Sequence, residues 1–212
     1  MPLQQTHSLG KERCWAIWHI TESETELSYA AMESCPEEIV SLQKRLEWLA
    51  ARALLKSMLD DIGLQYYGLR KNEFGKPFLK EHSHHISLSH SFPYVVAQID
   101  KQQEVGIDLE QPKEKLLVIA HRVFSKDEVN DAANNIVKLC IYWCAKESLY
   151  KIYGKRNLFF TDHLQVMPFM LSESGSLIGK IILPEIEMVC HLRYIIKEDF
   201  VIVYTDTQMI AV

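Results

Sequence analysis

Gly106-Ile-Asp-Leu-Glu110 decides how the rest of this chain is read. In an extended strand, residues two apart share a face, so Asp108 and Glu110 stand together while Ile107 and Leu109 face the other way and bury. Carboxylates at alternate positions of an apolar strand are costly unless something pairs them. A hard divalent cation with oxygen ligands would do so. A strand with one wetted face is the plainer alternative, and the segment alone leaves both open.

Downstream of this strand (residues 105–109, closed by Pro112), Ser125 and Glu128 have capping-box spacing and open a helix. A second helix spans residues 136–153 and ends at Gly154. Strands follow at 163–170, 177–183, 188–196 and 200–205, with turns at Gly175 and at Glu198-Asp199. Upstream, residues 14–20 read as a strand. Pro36 with Glu37 and Glu38 looks like a helix start, and apolar residues then recur at three and four (Ile39, Leu42, Leu46, Leu49, Ala53, Met58) to about residue 60. A short strand at 66–69, a turn at Asn72-Glu-Phe-Gly75, and strands at 86–88 and 94–99 around a Ser-His-Ser-Phe-Pro connection complete that part. The expectation is an α+β chain, its strands mostly antiparallel, with helices on one face of each sheet.

Trp48-Leu-Ala-Ala-Arg-Ala-Leu-Leu-Lys56 and Trp143-Cys-Ala-Lys-Glu-Ser-Leu-Tyr-Lys151 share a tryptophan, an alanine, a leucine and a lysine at the same offsets. This faint repeat suggests two halves, 1–104 and 105–212, and a ligand site between halves is the natural place to look.

Several polar groups can carry chemistry. Glu147 and Lys151 are i and i+4, neighbours on one helix face. Alone they are an ordinary ion pair; beside the acidic strand, Glu147 can be a third metal oxygen or a general base, and Lys151 a counter-charge for phosphate. Lys76, in Gly75-Lys-Pro77, can place a point charge on a phosphate, but Pro77 stands where a P-loop needs Ser or Thr, so an ATPase is not expected. Ser87, Ser89 and Ser91 alternate with Ile86 and Leu88, and His90 suits an anion donor. The nearby histidines match no common zinc spacing. Arg52 and Lys56 form a further cationic pair on the first long helix, with solvated surface charge as the alternative.

The chain has 212 residues, 48% of them apolar, enough to bury a core. A net charge of −5 leaves no basic surface for nucleic acid. Five cysteines with no CxxC pair suit a reducing compartment, Cys140 and Cys144 reading as core. No signal segment or apolar run of membrane-spanning length is evident, so a cytoplasmic protein without a membrane partner is expected.

In order, Gly75-Lys-Pro77, Ile86-Ser-Leu-Ser-His-Ser91, Val105-Gly-Ile-Asp-Leu-Glu110, Phe124-Ser-Lys-Asp-Glu128 and Trp143-Cys-Ala-Lys-Glu-Ser-Leu-Tyr-Lys151 resemble the motifs of the surfactin-type 4′-phosphopantetheinyl transferases. The resemblance implies a monomer of two similar α+β halves, a pseudo-dimer in which each mostly antiparallel sheet packs on a long helix, with coenzyme A in the cleft between them. It implies Mg²⁺ on Asp108, Glu110 and Glu147. Glu147 would also help deprotonate a serine of an apo carrier protein, while Lys151 stabilises pyrophosphate charge. Ser89, His90 and Lys76 would contact nucleotide and phosphates, and Lys56, with Arg52, the 3′-phosphate. The family often has arginine at the position of Lys56, and lysine there loses bidentate geometry. Beyond about residue 160 only the pattern matches. Two rivals remain. A metal-dependent nuclease would carry its acid and lysine on one strand and a basic face. A binding module of the same fold would have no need of Asp108, Glu110, Glu147 and Lys151 together.

Overall fold

A computed structural model describes residues 3–211. The chain divides between Glu104 and Val105 into two compact units. The first contains β1 (Leu3–Gly10), β2 (Arg13–His19), α1 (Glu24–Ala31), α2 (Leu42–Asp61), β3 (Leu69–Lys71), β4 (Pro77–Leu79), β5 (His85–Ser91) and β6 (Tyr94–Asp100). Its main sheet runs β1-β2-β6-β5, every ladder antiparallel, with β3-β4 as a separate hairpin. α2 buries Leu49, Ala53, Leu54 and Met58 in a core shared with Ala16, Trp18, Val95, Ala97 and Ile99.

The second unit contains β7 (Ile107–Glu110), α3 (Lys115–Val123), α4 (Lys126–Ala132), α5 (Ile136–Tyr153), β8 (Leu164–Val166), β9 (Ser174–Leu183), β10 (Ile186–Ile196) and β11 (Val201–Ala211). Its antiparallel sheet runs β7-β11-β10-β9-β8. α5 is capped by Asn135, whose side chain accepts from Lys138 N–H, and ends at Gly154 with φ +65°, a left-handed conformation that glycine adopts without strain. Cys140, Cys144, Leu149 and Ile152 sit in a core with Leu177, Ile181, Leu192, Val201 and Val203. Among the described residues, no helix is long and apolar enough to cross a membrane.

Several sequence expectations shift here. The helix expected from Pro36 starts at Leu42, because Arg45 Nη1 donates to the Pro36 and Ile39 carbonyls at 3.1 and 2.8 Å and holds that stretch as a turn. The strand expected at 66–69 begins at Leu69. β5 continues through Ser91, so Ser89 and His90 lie on a strand and only Phe92 and Pro93 form the connection. Gly175 lies inside β9 rather than in a turn: a Cβ there would come 2.7 Å from the Tyr194 ring, which packs over the bare backbone. β1 and α3 were not anticipated; α1 lies where polar residues 21–27 read as the start of a helix or turn, and Ser23 and Glu26 form its capping box.

His84, immediately before β5, is 7% exposed, and neither ring nitrogen has a hydrogen-bond partner among the described residues. The nearest carboxylate oxygen, on Glu12, is 3.7 Å away, and burial depresses the imidazole pKa. The fold therefore resists protonation that the unfolded chain accepts. This group's contribution is complete above the unfolded value of about 6.5 and is lost as pH falls below it toward the lower folded value. Urea midpoints compared at about pH 7.5 and about pH 5.5 should fall further for the wild type than for His84→Gln; equal falls would contradict the account.

Candidate active site

The site begins with a missing side chain. A Cβ on Gly106 would lie 2.0 Å from the Ser148 carbonyl oxygen and 2.7 Å from its carbonyl carbon, so only glycine lets β7 approach α5 this closely. Thr205 fixes the glycine from the other side. Its Oγ1 accepts the Gly106 N–H at 2.8 Å and donates to the Gly106 carbonyl at 3.1 Å, which also accepts from the Thr205 N–H. Ser148 Oγ donates to the Val203 carbonyl on β11 at 3.1 Å. β7, β11 and α5 are thus tied at one level, bringing Asp108 of β7 beside Lys151 of α5.

Lys151 Nζ donates to Asp108 Oδ1 at 2.7 Å and to the Ile107 carbonyl at 2.8 Å. Asp108 is 4% exposed and Ile107 and Leu109 are fully buried, so burial does not alternate along β7, and only Glu110 at its end is half-buried. Glu147, half-buried, has its pKa pushed up to about 7. Burial is the main cause, the Asp108 charge adds to it, Lys151 opposes it, and Glu110 adds further. Glu147 thus lies in the fields of both Asp108 and Glu110. Among the described residues, however, no three such side chains form a ready-made metal cluster. The Lys151 ammonium is the cation that Asp108 holds. Mg²⁺ takes one or two carboxylates plus water and substrate phosphates, so the hard oxygen set suits it without a protein cage.

Lys146, next to Glu147, was not singled out. It is fully buried and paired with Glu128 at 2.7 Å, and it donates to the Val123 and Phe160 carbonyls at 3.0 and 2.8 Å. Glu128 also accepts from the N–H groups of Ser125 and Val166. The capping carboxylate legible in the sequence therefore also anchors α5 one residue before Glu147.

In the first unit, His90, Lys76, Lys56 and Arg52, expected at phosphates, each hold an acid. His90 Nδ1 lies 3.1 Å from Glu47 Oε2, and Lys76 Nζ lies 2.5 Å from Glu104 Oε2. Lys56 pairs with Asp60 on the same helix at 2.7 Å. Arg52 does not share an open cationic face with Lys56. Its guanidinium lies 3.2 Å over the Trp48 ring and pairs with Glu33 at 3.3 Å, leaving the side chain 12% exposed. Ser89 lies beside His90 on β5.

β7 of the antiparallel sheet thus carries Asp108 and Glu110, α5 carries Glu147 and Lys151, and Asp108 and Lys151 meet directly. Residues 104–205 match the family model described as the 4′-phosphopantetheinyl transferase superfamily. The chain is 35% identical over 122 residues to the 4′-phosphopantetheinyl transferase psf-1 of Bacillus pumilus, covering 55% of this chain and 50% of that protein. It is 34% identical over 115 residues to the transferase gsp of Aneurinibacillus migulanus, covering 50% and 48% of the two chains. It is 33% identical over 127 residues to Sfp of Bacillus subtilis, covering 57% and 54%. The matched region thus spans about half the length of these curated relatives. Residues 104–205, nearly all of the second unit, thus match the 4′-phosphopantetheinyl transferase superfamily, and the chain is similar to 4′-phosphopantetheinyl transferases over about half its length.

Proposed function

We propose that this chain transfers 4′-phosphopantetheine from coenzyme A to a serine hydroxyl of an apo carrier protein, with Mg²⁺, releasing 3′,5′-ADP. The observation that carries the reading is the approach of β7 to α5 at Gly106, which sets Asp108 against Lys151 and puts Asp108 and Glu110 in the field of Glu147. Asp108, Glu110 and Glu147 would hold the metal, whose chemistry is to polarise phosphoryl oxygens as a Lewis acid.

The protein groups do the rest. Glu147 takes the proton of the serine hydroxyl, directly or through water, and a positioned base is worth roughly 10²–10⁴-fold. The serine oxygen bonds to the phosphorus carrying pantetheine, and the bond from that phosphorus to the ADP oxygen breaks. Lys151 donates to the oxygens on which charge grows. Lys76, Ser89 and His90 contact nucleotide and phosphates, with Lys56 toward the 3′-phosphate; Arg52, committed to Glu33, acts there only by exchanging partners. The two units are read as duplicates of one α+β plan, supported by the matching offsets of Trp48 and Lys56 on α2 and Trp143 and Lys151 on α5. The enzyme is read as a monomer in the cytoplasm, where its five buried free cysteines remain reduced.

The test is direct. Incubation with coenzyme A, Mg²⁺ and an apo carrier should add one phosphopantetheine to the carrier mass. Coenzyme A binding without mass gain on any of several fatty-acid, polyketide or peptide-synthesis carriers would sink the transferase and leave a coenzyme A-binding module of the same fold.

A further inference from the structure

We propose that Glu104 is an internal competitor for the phosphate contact at Lys76, setting how tightly the first unit holds an anionic ligand; this rests on the transferase reading above. Lys76 closes a rigid turn. Asn72 Oδ1 accepts from the Phe74 and Lys76 N–H groups at 3.0 and 2.9 Å, and the Asn72 N–H donates to the Lys76 carbonyl. Only the lysine side chain is left to adjust, and its ammonium lies 2.5 Å from Glu104 Oε2. The other carboxylate oxygen of Glu104 lies 3.2 Å from His85 Nδ1. One carboxylate thus bridges two nitrogen groups, as two oxygens of a phosphate would.

The exposures say which partner yields. The Lys76 side chain is 10% exposed and that of Glu104 34%. The ammonium is enclosed and stays; the carboxylate has solvent beside it and can swing out. The His90–Glu47 pair is built the other way round, with the acid 6% and the ring 56% exposed. Glu47, steadied by Gln43 Nε2 at 3.1 Å, is a fixed support that engages Nδ1 and leaves Nε2 for a ligand. Removing the two acids should therefore act in opposite directions: the yielding carboxylate competes with a phosphate, and the fixed one positions a donor for it.

Calorimetric titration of coenzyme A, without added metal, tests this on the wild type, Glu104→Gln, Lys76→Ala and the double variant. Partly exposed ion pairs contribute modestly, so Glu104→Gln should bind about 3- to 5-fold tighter. The gain should vanish in the Lys76→Ala background and shrink at high salt. Glu47→Gln should bind more weakly. Unchanged or weaker binding by Glu104→Gln, or a gain that persists without Lys76, overturns the competitor while leaving the transferase reading intact. A wild type that binds no coenzyme A overturns that reading itself.

Discussion

Glu147→Gln should reduce carrier modification by about 10²–10⁴-fold while leaving most coenzyme A affinity and raising, or at least preserving, thermal stability. The substitution keeps the size and hydrogen-bonding reach of the side chain but removes its charge and its capacity to accept a proton. Catalysis loses the group proposed to deprotonate serine together with one oxygen of the metal set. Coenzyme A keeps its proposed contacts at Lys76, Ser89 and His90 in the other unit. Stability moves the opposite way, because burial and the Asp108 and Glu110 charges all work against an ionised Glu147, and only Lys151 favours it. A neutral amide relieves that repulsion. This divergence separates a functional carboxylate from a structural one, whose loss would lower stability and activity together. The measurements are initial transfer rates, coenzyme A calorimetry and thermal midpoints on the same preparations. Wild-type turnover by Glu147→Gln would remove Glu147 from the mechanism.

The parts of this site legible in the sequence are those whose signals are local. Asp108 and Glu110 alternate with Ile107 and Leu109 in the sequence itself, and α5 runs from residue 136 to a stop at Gly154, the span its sequence suggests. What stayed hidden was decided by distant partners. Lys146 and Lys151 sit on one helix, five positions apart, yet Lys146 is sealed inside by Glu128 of α4 while Lys151 reaches Asp108 of β7. No periodicity on α5 separates them. Arg52 and Lys56 look like a cationic stripe until Glu33, nineteen positions upstream, draws Arg52 onto Trp48. β1 reads as polar sequence and is a strand because β2 offers it a backbone edge, with Gln5 opposite Ile17 and His7 opposite Trp15. Pro36 carries a helix-start signal, yet Arg45 bonds its carbonyl and holds a turn there instead.

Gly106→Ala should be the most damaging single methyl in the second unit. The added carbon would stand 2.0 Å from a backbone oxygen, and backbone cannot rotate aside as a side-chain end can. Either α5 must shift, against the Ser148–Val203 bond and the Lys146–Glu128 anchor, or β7 must retreat from Thr205 and give up the bonds that flank Gly106. Overpacking of this kind costs about 1–3 kcal/mol and sometimes more. For a chain of this size that lowers the thermal midpoint by roughly 2–4 °C per kcal/mol. Gly179 of β9 is the control against the same helix: a Cβ there meets Leu149 methyl carbons at 2.9 Å, which a change of rotamer can clear. Gly179→Ala should therefore be much milder than Gly106→Ala. Activity adds a second readout. Any retreat of β7 lengthens the 2.7 Å contact between Asp108 and Lys151, so transfer per folded molecule should drop in Gly106→Ala and hold in Gly179→Ala. A Gly106→Ala protein with the wild-type midpoint and rate would mean that the strand–helix approach is not what builds the site.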